Sequence, residues 1–337
     1  MSQMIGKQSI AFGEPPYVIA SGNVAGKKEG EGPLGKCFDM ICEDDKFGAE
    51  SWEEAESTMQ KEAAALAMGK AGVEPKEVRY VFAGDLLGQT IATSFGIMNY
   101  NIPLFGVYGA CSTAGESMSL AAMCVAGGYA DTVLAMTSSH FASAEKQFRF
   151  PLEYGNQRPA SATWTVTGSG AFLIGKKKSH VKITGITTGK IVDYGIRDSM
   201  NMGAAMAPAA CDLILRHFED FQRKPSDYSK IITGDLGYVG RTILLDLLKE
   251  KDFDLSEVHT DCGIEIFDKD TQGTDSGGSG CGCSAITMSA HFLPHIQDGT
   301  LKRVLFVPTG ALLSTVSFNE GQNVPGIAHG VVLEYEE

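Results

Sequence analysis

The feature that most constrains the fold is an order of helix, proline, strand and glycine that occurs twice in the sequence. In the first half an amphipathic helix is followed by Pro75, an apolar strand and a Gly-Asp-Leu tripeptide that begins nine residues later, at Gly84. In the second half the same order runs from Pro225 to Gly234, and the glycine again follows the proline by nine positions. Proline and glycine at fixed positions mark where helices end and strands turn. The repetition therefore predicts two halves with the same local structure.

Two later features repeat in the same order. A helix ending at Gly128, and another ending at Gly299, is followed five residues later by an apolar strand. A further glycine-led apolar strand then closes each half. These matches predict a duplicated chain with an N-terminal half at 1–178 and a C-terminal half at 179–337. Strand-helix units in general share some of these proline and glycine positions. The alternative to a duplication is therefore a chance likeness between the two halves.

The order of elements predicts the architecture. Strands separated by helices favour mostly parallel pairing through right-handed crossovers. The strands are short apolar runs, which is typical of sheets covered on both faces. Two such halves would pack helices between two sheets. The helix after Cys111 suits that central layer because it is apolar and carries few charges.

Charge and composition exclude several classes of function. The net charge of −13 makes the chain a poor partner for nucleic acid. The polar N-terminus lacks a secretory signal, so the eight cysteines are interpreted as thiols in a reducing compartment. Their spacing does not match a zinc ribbon. The sequence contains no run of 18 apolar residues, so no membrane span is predicted. Any membrane association would need a partner or a surface.

Cys111 is the candidate chemical centre. An apolar strand turns sharply into a helix at this residue, where free backbone N–H groups and the helix dipole would favour a thiolate. A nucleophile at a strand-to-helix turn is a known catalytic arrangement. A plain buried cysteine is the alternative, because free cysteine is often buried. The local sequence leaves both possibilities open.

Several segments resemble thiolases and ketoacyl synthases. The cysteine segment at 110–115 (Ala-Cys-Ser-Thr-Ala-Gly) is similar to their nucleophile segment. Residues 81–86, 168–171 and 328–334 are similar to other landmark segments of that superfamily. The resemblance covers nearly the whole chain. It implies the thiolase-like five-layered αβαβα fold with two pseudo-duplicated halves, in agreement with the repeats.

Three segments carry a closer resemblance. Residues 13–16 (Gly-Glu-Pro-Pro), 277–285 and 308–318 resemble the stage V sporulation protein AD family of spore-forming bacteria. This resemblance implies a protein that binds dipicolinic acid and serves its movement into the developing spore. It also implies a peripheral position at the spore inner membrane, beside membrane proteins of the same transport complex.

The chain departs from the catalytic pattern of thiolases. Their Gly-His-Pro segment supplies a histidine that takes the thiol proton, and the matching place here reads Gly-Cys-Ser around Cys283. Their second catalytic cysteine lies in a Cys-x-Gly segment, and the matching stretch here is Pro-Thr-Gly at 308–310. We therefore expect a binding protein with no enzymatic activity. The alternative is an acyl-CoA-dependent acyltransferase or condensing enzyme that uses Cys111 and His140.

A dicarboxylate ligand sets the choice of candidate residues. Dipicolinic acid is a flat aromatic dianion near neutral pH, so an acidic protein must supply local donors or cations. The polar insert at 141–165 is expected to cover the pocket. The predicted ligand-binding residues are Asp85, Gln89, Cys111, His140, Arg149, Arg158, Cys283 and His329.

Each candidate has a simpler role. Asp85 would ligate a calcium ion bound with the dipicolinate, or it is a turn or helix-cap residue. His140 and His329 would approach the pocket, or they are hydrogen-bonding and turn residues. No other cofactor is expected. Relatives in the superfamily dimerise through the edge of one sheet, which implies a possible homodimer.

Overall fold

The computed structural model describes residues 3–149 and 157–337. Its strands are β1 (Met4–Ile5), β2 (Ser9–Ala11), β3 (Tyr17–Ala25), β4 (Met40–Ile41), β5 (Val81–Gly84), β6 (Leu104–Gly106), β7 (Thr132–Ser139), β8 (Trp164–Thr165), β9 (Gly168–Gly175), β10 (Val181–Thr188), β11 (Lys230–Thr233), β12 (His259–Asp261), β13 (Gly278–Ser279), β14 (Arg303–Val307), β15 (Thr309–Ala311) and β16 (Gly326–Tyr335).

The α-helices follow the order that the repeats predict. They are α1 (Lys27–Gly30), α2 (Trp52–Ala71), α3 (Ile91–Ile97), α4 (Thr113–Ala126), α5 (Phe141–Phe148), α6 (Met202–Phe221), α7 (Gly237–Lys249), α8 (Cys262–Glu265), α9 (Cys281–Thr287), α10 (Leu293–Gln297) and α11 (Thr315–Asn319). A π-helical turn, Met288–Phe292, joins α9 to α10.

The two halves share one topology. The first half has the strand order β3-β9-β7-β5-β6, and the second half has β10-β16-β14-β11-β12. In the first half β3, β9 and β7 pair antiparallel, whereas β7, β5 and β6 pair parallel. The second half repeats these directions at each matching step. This agreement confirms the duplication.

The expectation of mostly parallel pairing is wrong. The long strands β9 and β16 each run antiparallel to both of their neighbours, so antiparallel pairs are as frequent as parallel ones along these two strand orders. A single residue pair, Tyr17 with Lys182, joins the two sheets. The division expected between 178 and 179 lies in the turn from β9 to β10.

Five layers follow from the helix contacts. Helices α2 and α3 cover the outer face of the first sheet, and α6 and α7 cover the outer face of the second. Helix α4 contacts strands of both sheets, and α9 packs beside it on the first. The α/β five-layered αβαβα arrangement expected from the sequence is therefore present. Because both sheets are buried on two faces, α4 and α9 form a dry central layer.

Local sequence sets the ends and the packing of the outer helices. The Ser51 side chain accepts the Glu54 N–H at the start of α2, and Gly72 ends the helix at a φ of 64°. The alanines of α2 allow a close approach to β3, where a Cβ on Gly22 would lie 2.4 Å from the Ala63 carbonyl oxygen. In α6 the Asn201 side chain accepts the Ala204 N–H. The amphipathic helices predicted before Pro75 and before Pro225 are thus confirmed.

We predict that Gly84→Ala destabilises the protein by about 1–3 kcal/mol. Gly84 ends β5, and a Cβ there would lie 2.0 Å from the Val107 carbonyl oxygen, which cannot move without shifting the cysteine turn. Gly88→Ala is the matched control, because nothing lies within 4 Å of a Cβ at Gly88. Chemical denaturation of both variants tests this, and equal midpoints would contradict it.

Candidate functional site

The turn before α4 places Cys111 between the two halves. Ala110 has a φ of 49°, a left-handed conformation that costs energy for any residue with a side chain. The Ser112 hydroxyl donates to the Gly109 carbonyl at 2.7 Å, and the Thr113 hydroxyl donates to the Ala110 carbonyl at 2.6 Å. These short bonds hold the strained turn that precedes the helix.

The second half packs directly against this turn. A Cβ on Gly310 would lie 2.3 Å from the Gly109 carbonyl oxygen, so only glycine fits in this part of β15. The Cys281 thiol, at the start of α9, donates to the Ala110 carbonyl at 3.0 Å. The position of Cys111 therefore depends on backbone contacts across the pseudo-symmetric interface.

Asp235 is the charged partner of Cys111. Its carboxyl is fully buried and lies close enough to the Cys111 thiol for each group to shift the pKa of the other. It also accepts the Thr309 hydroxyl at 2.7 Å and the Gly280 N–H at 3.0 Å. Burial raises the pKa of Asp235 to about 7, although these hydrogen bonds act against the rise. This carboxyl can therefore change its charge near neutral pH.

The thiolate expected at Cys111 is not supported. Burial, followed by the negative charge of Asp235, raises the pKa of the Cys111 thiol well above its usual range. The first N–H groups of the helix do not face the sulfur, since those of Ser112 and Thr113 donate to carbonyls of the turn. The Gly280 N–H lowers the pKa only in part. The sulfur therefore keeps its proton at neutral pH.

The Cys111 side chain lies at a small cavity, which we call the cysteine cavity. Its volume is about 50 Å³, well below the roughly 300–1,000 Å³ of typical small-molecule pockets. Its walls are mostly apolar, and Arg149 brings a charged side chain to them. The lining residues are Leu86, Tyr108, Ala110, Cys111, Ala144, Phe148, Arg149, Thr165, Met202, Ser279, Gly280, Ala311 and Leu313.

A larger groove of about 500 Å³ adjoins the cysteine cavity. The two spaces share four walls, namely Leu86, Tyr108, Phe148 and Leu313. Gln89 lines this outer groove, where its own backbone has a φ of 58°. The shared walls make the cavity and the outer groove neighbouring parts of one concave region.

Arg149 and Arg158 share one carboxylate. Both guanidinium groups bond Oε1 of the buried Glu145, and Arg158 also donates to the Thr163 carbonyl. This cluster has two positive charges and one negative charge. Arg149 Nε and Glu145 Oε2 are buried and have no hydrogen-bond partner within the described residues. Arg149 therefore brings a guanidinium to the cavity wall and retains one buried donor without a partner among the described residues.

The insert expected to cover the pocket, at 141–165, contributes walls. Phe148, Arg149 and Thr165 line the cysteine cavity. The Phe141 and Trp164 rings stack at 4.0 Å between centroids, which ties the two ends of the insert together. Residues 150–156 of the insert lie outside the described residues.

Asp85 and Cys283 do not reach either space. Both Asp85 oxygens accept hydrogen bonds, from the N–H of Leu87 at 2.8 Å and from the N–H and hydroxyl of Thr93 at 2.8 and 2.7 Å. Asp85 therefore caps α3. The Cys283 thiol is buried and donates to the Gly234 carbonyl at 3.5 Å.

The two candidate histidines are also placed away from Cys111. His140 Nδ1 accepts the Ala142 N–H at the start of α5, and its Nε2 lies 2.6 Å from the Asp45 carbonyl oxygen. Burial lowers its pKa. His329 lies within β16, with its backbone against Gly115 of α4, and burial lowers its pKa to about 4. Neither ring lines the cysteine cavity, so the pairing of Cys111 with His140 required by an acyltransferase is not formed.

The residues present do not fit a calcium site. Both oxygens of Asp85 already accept hydrogen bonds, one from Leu87 and the other from Thr93 of α3. Across residues 3–149 and 157–337, no group of three His, Cys, Asp or Glu side chains is placed to hold a metal ion.

Asp235, Cys281 and Thr309 are site residues that the sequence interpretation missed. A signal for Asp235 was present, because it occupies the same place in the second Gly-Asp-Leu as Asp85 in the first. Although Asp85 and Asp235 occupy pseudo-symmetric positions, their side chains make different contacts. Asp261 accepts the N–H groups of Leu236 and Gly237 at the start of α7, so Asp235 is free to contact Cys111.

Solved structures of two 3-oxoacyl synthases and of OleA share this architecture. The chain matches 3-oxoacyl-[acyl-carrier-protein] synthase III from Aquifex aeolicus with a TM-score of 0.59 and 15% identity, over 95% of this chain and 100% of that one. It matches the FabH synthase from Pseudomonas aeruginosa with a TM-score of 0.58 and 12% identity, over 96% and 99%. A structure of OleA from Xanthomonas campestris gives 0.59 and 12%, over 96% and 99%. The protein therefore has the thiolase-like fold.

The family within this fold is defined by sequence. The profile of the stage V sporulation protein AD family matches residues 6–334. Stage V sporulation protein AD of Bacillus subtilis strain 168 is 43% identical over 332 residues, which is 98% of each chain. The chain belongs to the stage V sporulation protein AD family and is a sporulation protein. Within the described part of the chain, no helix combines the length and apolar character needed to cross a bilayer.

We predict that Asp235→Asn increases the rate of Cys111 alkylation by iodoacetamide at pH 8. Removing the negative charge lowers the pKa of the thiol, and each tenfold gain in thiolate corresponds to about 1.4 kcal/mol. The rate at the Cys111 peptide is followed by mass spectrometry, which separates it from the exposed Cys37.

The control is Asp261→Asn, which removes another buried carboxylate of the same half. Its charge is not among the main causes of the pKa rise of Cys111. An equal gain in both variants, or no gain in Asp235→Asn, would contradict a specific Cys111–Asp235 contact.

Proposed function

We propose that this protein binds dipicolinic acid and serves its uptake into the developing spore, with a thiolase-like site that no longer catalyses acyl transfer. The observation that carries the proposal is the guanidinium of Arg149 at the wall of the cysteine cavity, with a donor left unpaired among the described residues. Membership of the sporulation family supports the biological setting.

The charge of the arginine cluster suits an anion. Arg149 and Arg158 together carry one more positive charge than Glu145 neutralises. A buried excess of positive charge is costly unless an anion balances it. A carboxylate of the ligand can take the free Nε donor of Arg149 without breaking its bond to Glu145.

The shape of the site suits a flat aromatic ring. The cysteine cavity is too small for the whole ligand, so the ring would extend past the shared walls into the outer groove. Tyr108 and Phe148 provide aromatic surface on this path. The second carboxylate would then lie within the outer groove, which Gln89 also lines.

The Cys111–Asp235 pair supports binding without reaction. A condensing reaction needs a thiolate and a base that takes its proton. Here the neighbouring carboxylate disfavours the thiolate, and no histidine lines the cavity within the described residues. A ligand at Cys111 would therefore meet a neutral S–H group.

We predict that Arg149→Met weakens dipicolinate binding at least about tenfold, or about 1.4 kcal/mol, because the carboxylate loses its cation. Cys111→Ala is expected to weaken it less, since it removes only a wall contact. Isothermal titration calorimetry with and without calcium measures both affinities. Pyridine-2-carboxylate and benzene-1,3-dicarboxylate serve as ligands that lack one carboxylate or the ring nitrogen.

Arg216→Met is the matched control, because Arg216 also pairs with a glutamate along one helix but lies on α6. His140→Ala serves as a second control for a polar residue outside the cavity. Unchanged affinity in both Arg149→Met and Cys111→Ala would place the ligand elsewhere.

The proposal includes two kinds of protein partner. By family resemblance, the protein acts at the spore inner membrane with membrane proteins of the same transport complex. We also propose that two copies pair through β6, the end strand of the first sheet. Leu104 and Phe105 on β6 are 39% and 52% exposed, and Phe95 and Met98 are exposed nearby.

Strand β6 suits a second copy better than a different partner. An open edge strand can pair antiparallel with its own copy about a two-fold axis, which satisfies backbone groups and apolar side chains on both copies. Tyr108 follows β6 and lines the cysteine cavity. A second copy at this edge would therefore lie close to the mouth of the site.

We predict that Phe105→Glu converts a dimer to a monomer, because two new charges would face each other across the axis. Sedimentation at several protein concentrations measures the association. Tyr129→Glu is the control, since Tyr129 is 74% exposed after α4 and away from β6. A wild-type protein that stays monomeric at tens of micromolar would contradict the dimer.

A further inference from the structure

Asp235 is a buried carboxyl without a cation partner among the described residues. Its exposed fraction is zero, its carboxyl accepts hydrogen bonds from the Thr309 hydroxyl and the Gly280 N–H, and the Cys111 thiol lies beside it. Across residues 3–149 and 157–337, no lysine, arginine or histidine forms an ion pair with it. Its charge, when present, is therefore balanced only by dipoles.

The other titratable groups near this carboxyl bring no positive charge to it. They are Cys111 on the turn before α4, Cys281 and Cys283 on α9, Cys262 on α8 and Asp261 on β12. Asp261 is a second buried carboxyl and acts by repulsion. Arg149, on the far side of Cys111, is already bonded to Glu145.

The charge of the whole site therefore depends on one proton. With Asp235 ionised, the arginine cluster and this carboxyl sum to zero, because Arg149 and Arg158 oppose Glu145 and Asp235. A bound dianion would then leave two uncompensated negative charges near the cavity. With Asp235 protonated, the bound dianion would leave one uncompensated negative charge. Since uncompensated charge in a buried site is costly, the protonated state is the one that accepts the ligand.

We infer that Asp235 couples anion binding to proton uptake, so that the site takes its dicarboxylate together with one proton held on the Cys111–Asp235 pair. This inference rests on the proposed function and adds its regulation. Affinity falls as pH rises, because ionised Asp235 repels the ligand. Binding in an acidic environment and release in a more alkaline one follow from the same group.

Calorimetric titration with dipicolinate at pH 6, 7 and 8 tests this, in two buffers of different ionisation enthalpy. The wild type is expected to take up close to one proton per ligand at pH 8. Its affinity should fall from pH 7 to pH 8 by a factor that approaches about ten, the limit for one linked proton. Asp235→Asn should bind with an affinity that does not change over this range and with no proton uptake.

Thr309→Val is the second variant, since it keeps the shape and leaves Asp235 in place. The Thr309 hydroxyl lowers the pKa of Asp235, so its loss should move the pH dependence to higher pH. Wild-type binding with equal affinity at all three pH values and no proton uptake would overturn the inference and leave the proposed function intact. No binding at any pH would overturn both.

Discussion

The contact of second-half backbone with the turn at 109–112 is the constraint on which the site depends. Gly310 lies so close to the Gly109 carbonyl that a methyl group cannot be placed between them, and the Cys281 thiol bonds the next carbonyl. The left-handed conformation of Ala110 persists because these contacts determine it. Neither half could hold Cys111 in this position alone, so the site is a property of the duplicated fold.

Duplication also explains how the site acquired its charge. The two Gly-Asp-Leu turns begin as equivalents. The first retains the simpler role, because the Asp85 oxygens accept local hydrogen bonds from Leu87 and from Thr93 of α3. In the second turn Asp261 provides the cap, and Asp235 turns towards the centre of the molecule. A buried carboxyl is thereby placed beside a thiol. Its negative charge raises the pKa of the thiol, whereas the thiol lowers the pKa of the carboxyl.

The repeats predicted the fold well, and the site only in part. The positions of Pro75, Gly84 and their counterparts indicate where helices and strands end. Local sequence determines these ends directly, and the two sheets follow from them. Sequence also marked Cys111 and Arg149, which lie at one cavity. It could not show that His140 turns its ring nitrogens to backbone groups, because that choice depends on the Asp45 carbonyl about a hundred residues away in the chain. Nor could it show which of two equivalent aspartates faces the cysteine.

The pKa of the Cys111 thiol is higher than that of the Asp235 carboxyl, and this difference argues for binding over catalysis. Transfer of the Cys111 proton to Asp235 is uphill, because the thiol holds its proton far more tightly than a carboxyl whose pKa is about 7. Each further tenfold in that preference costs about 1.4 kcal/mol, so a nucleophilic thiolate is rare at neutral pH. Under the proposed function, the Cys111–Asp235 pair therefore adjusts the charge of the cavity and does not produce a nucleophile.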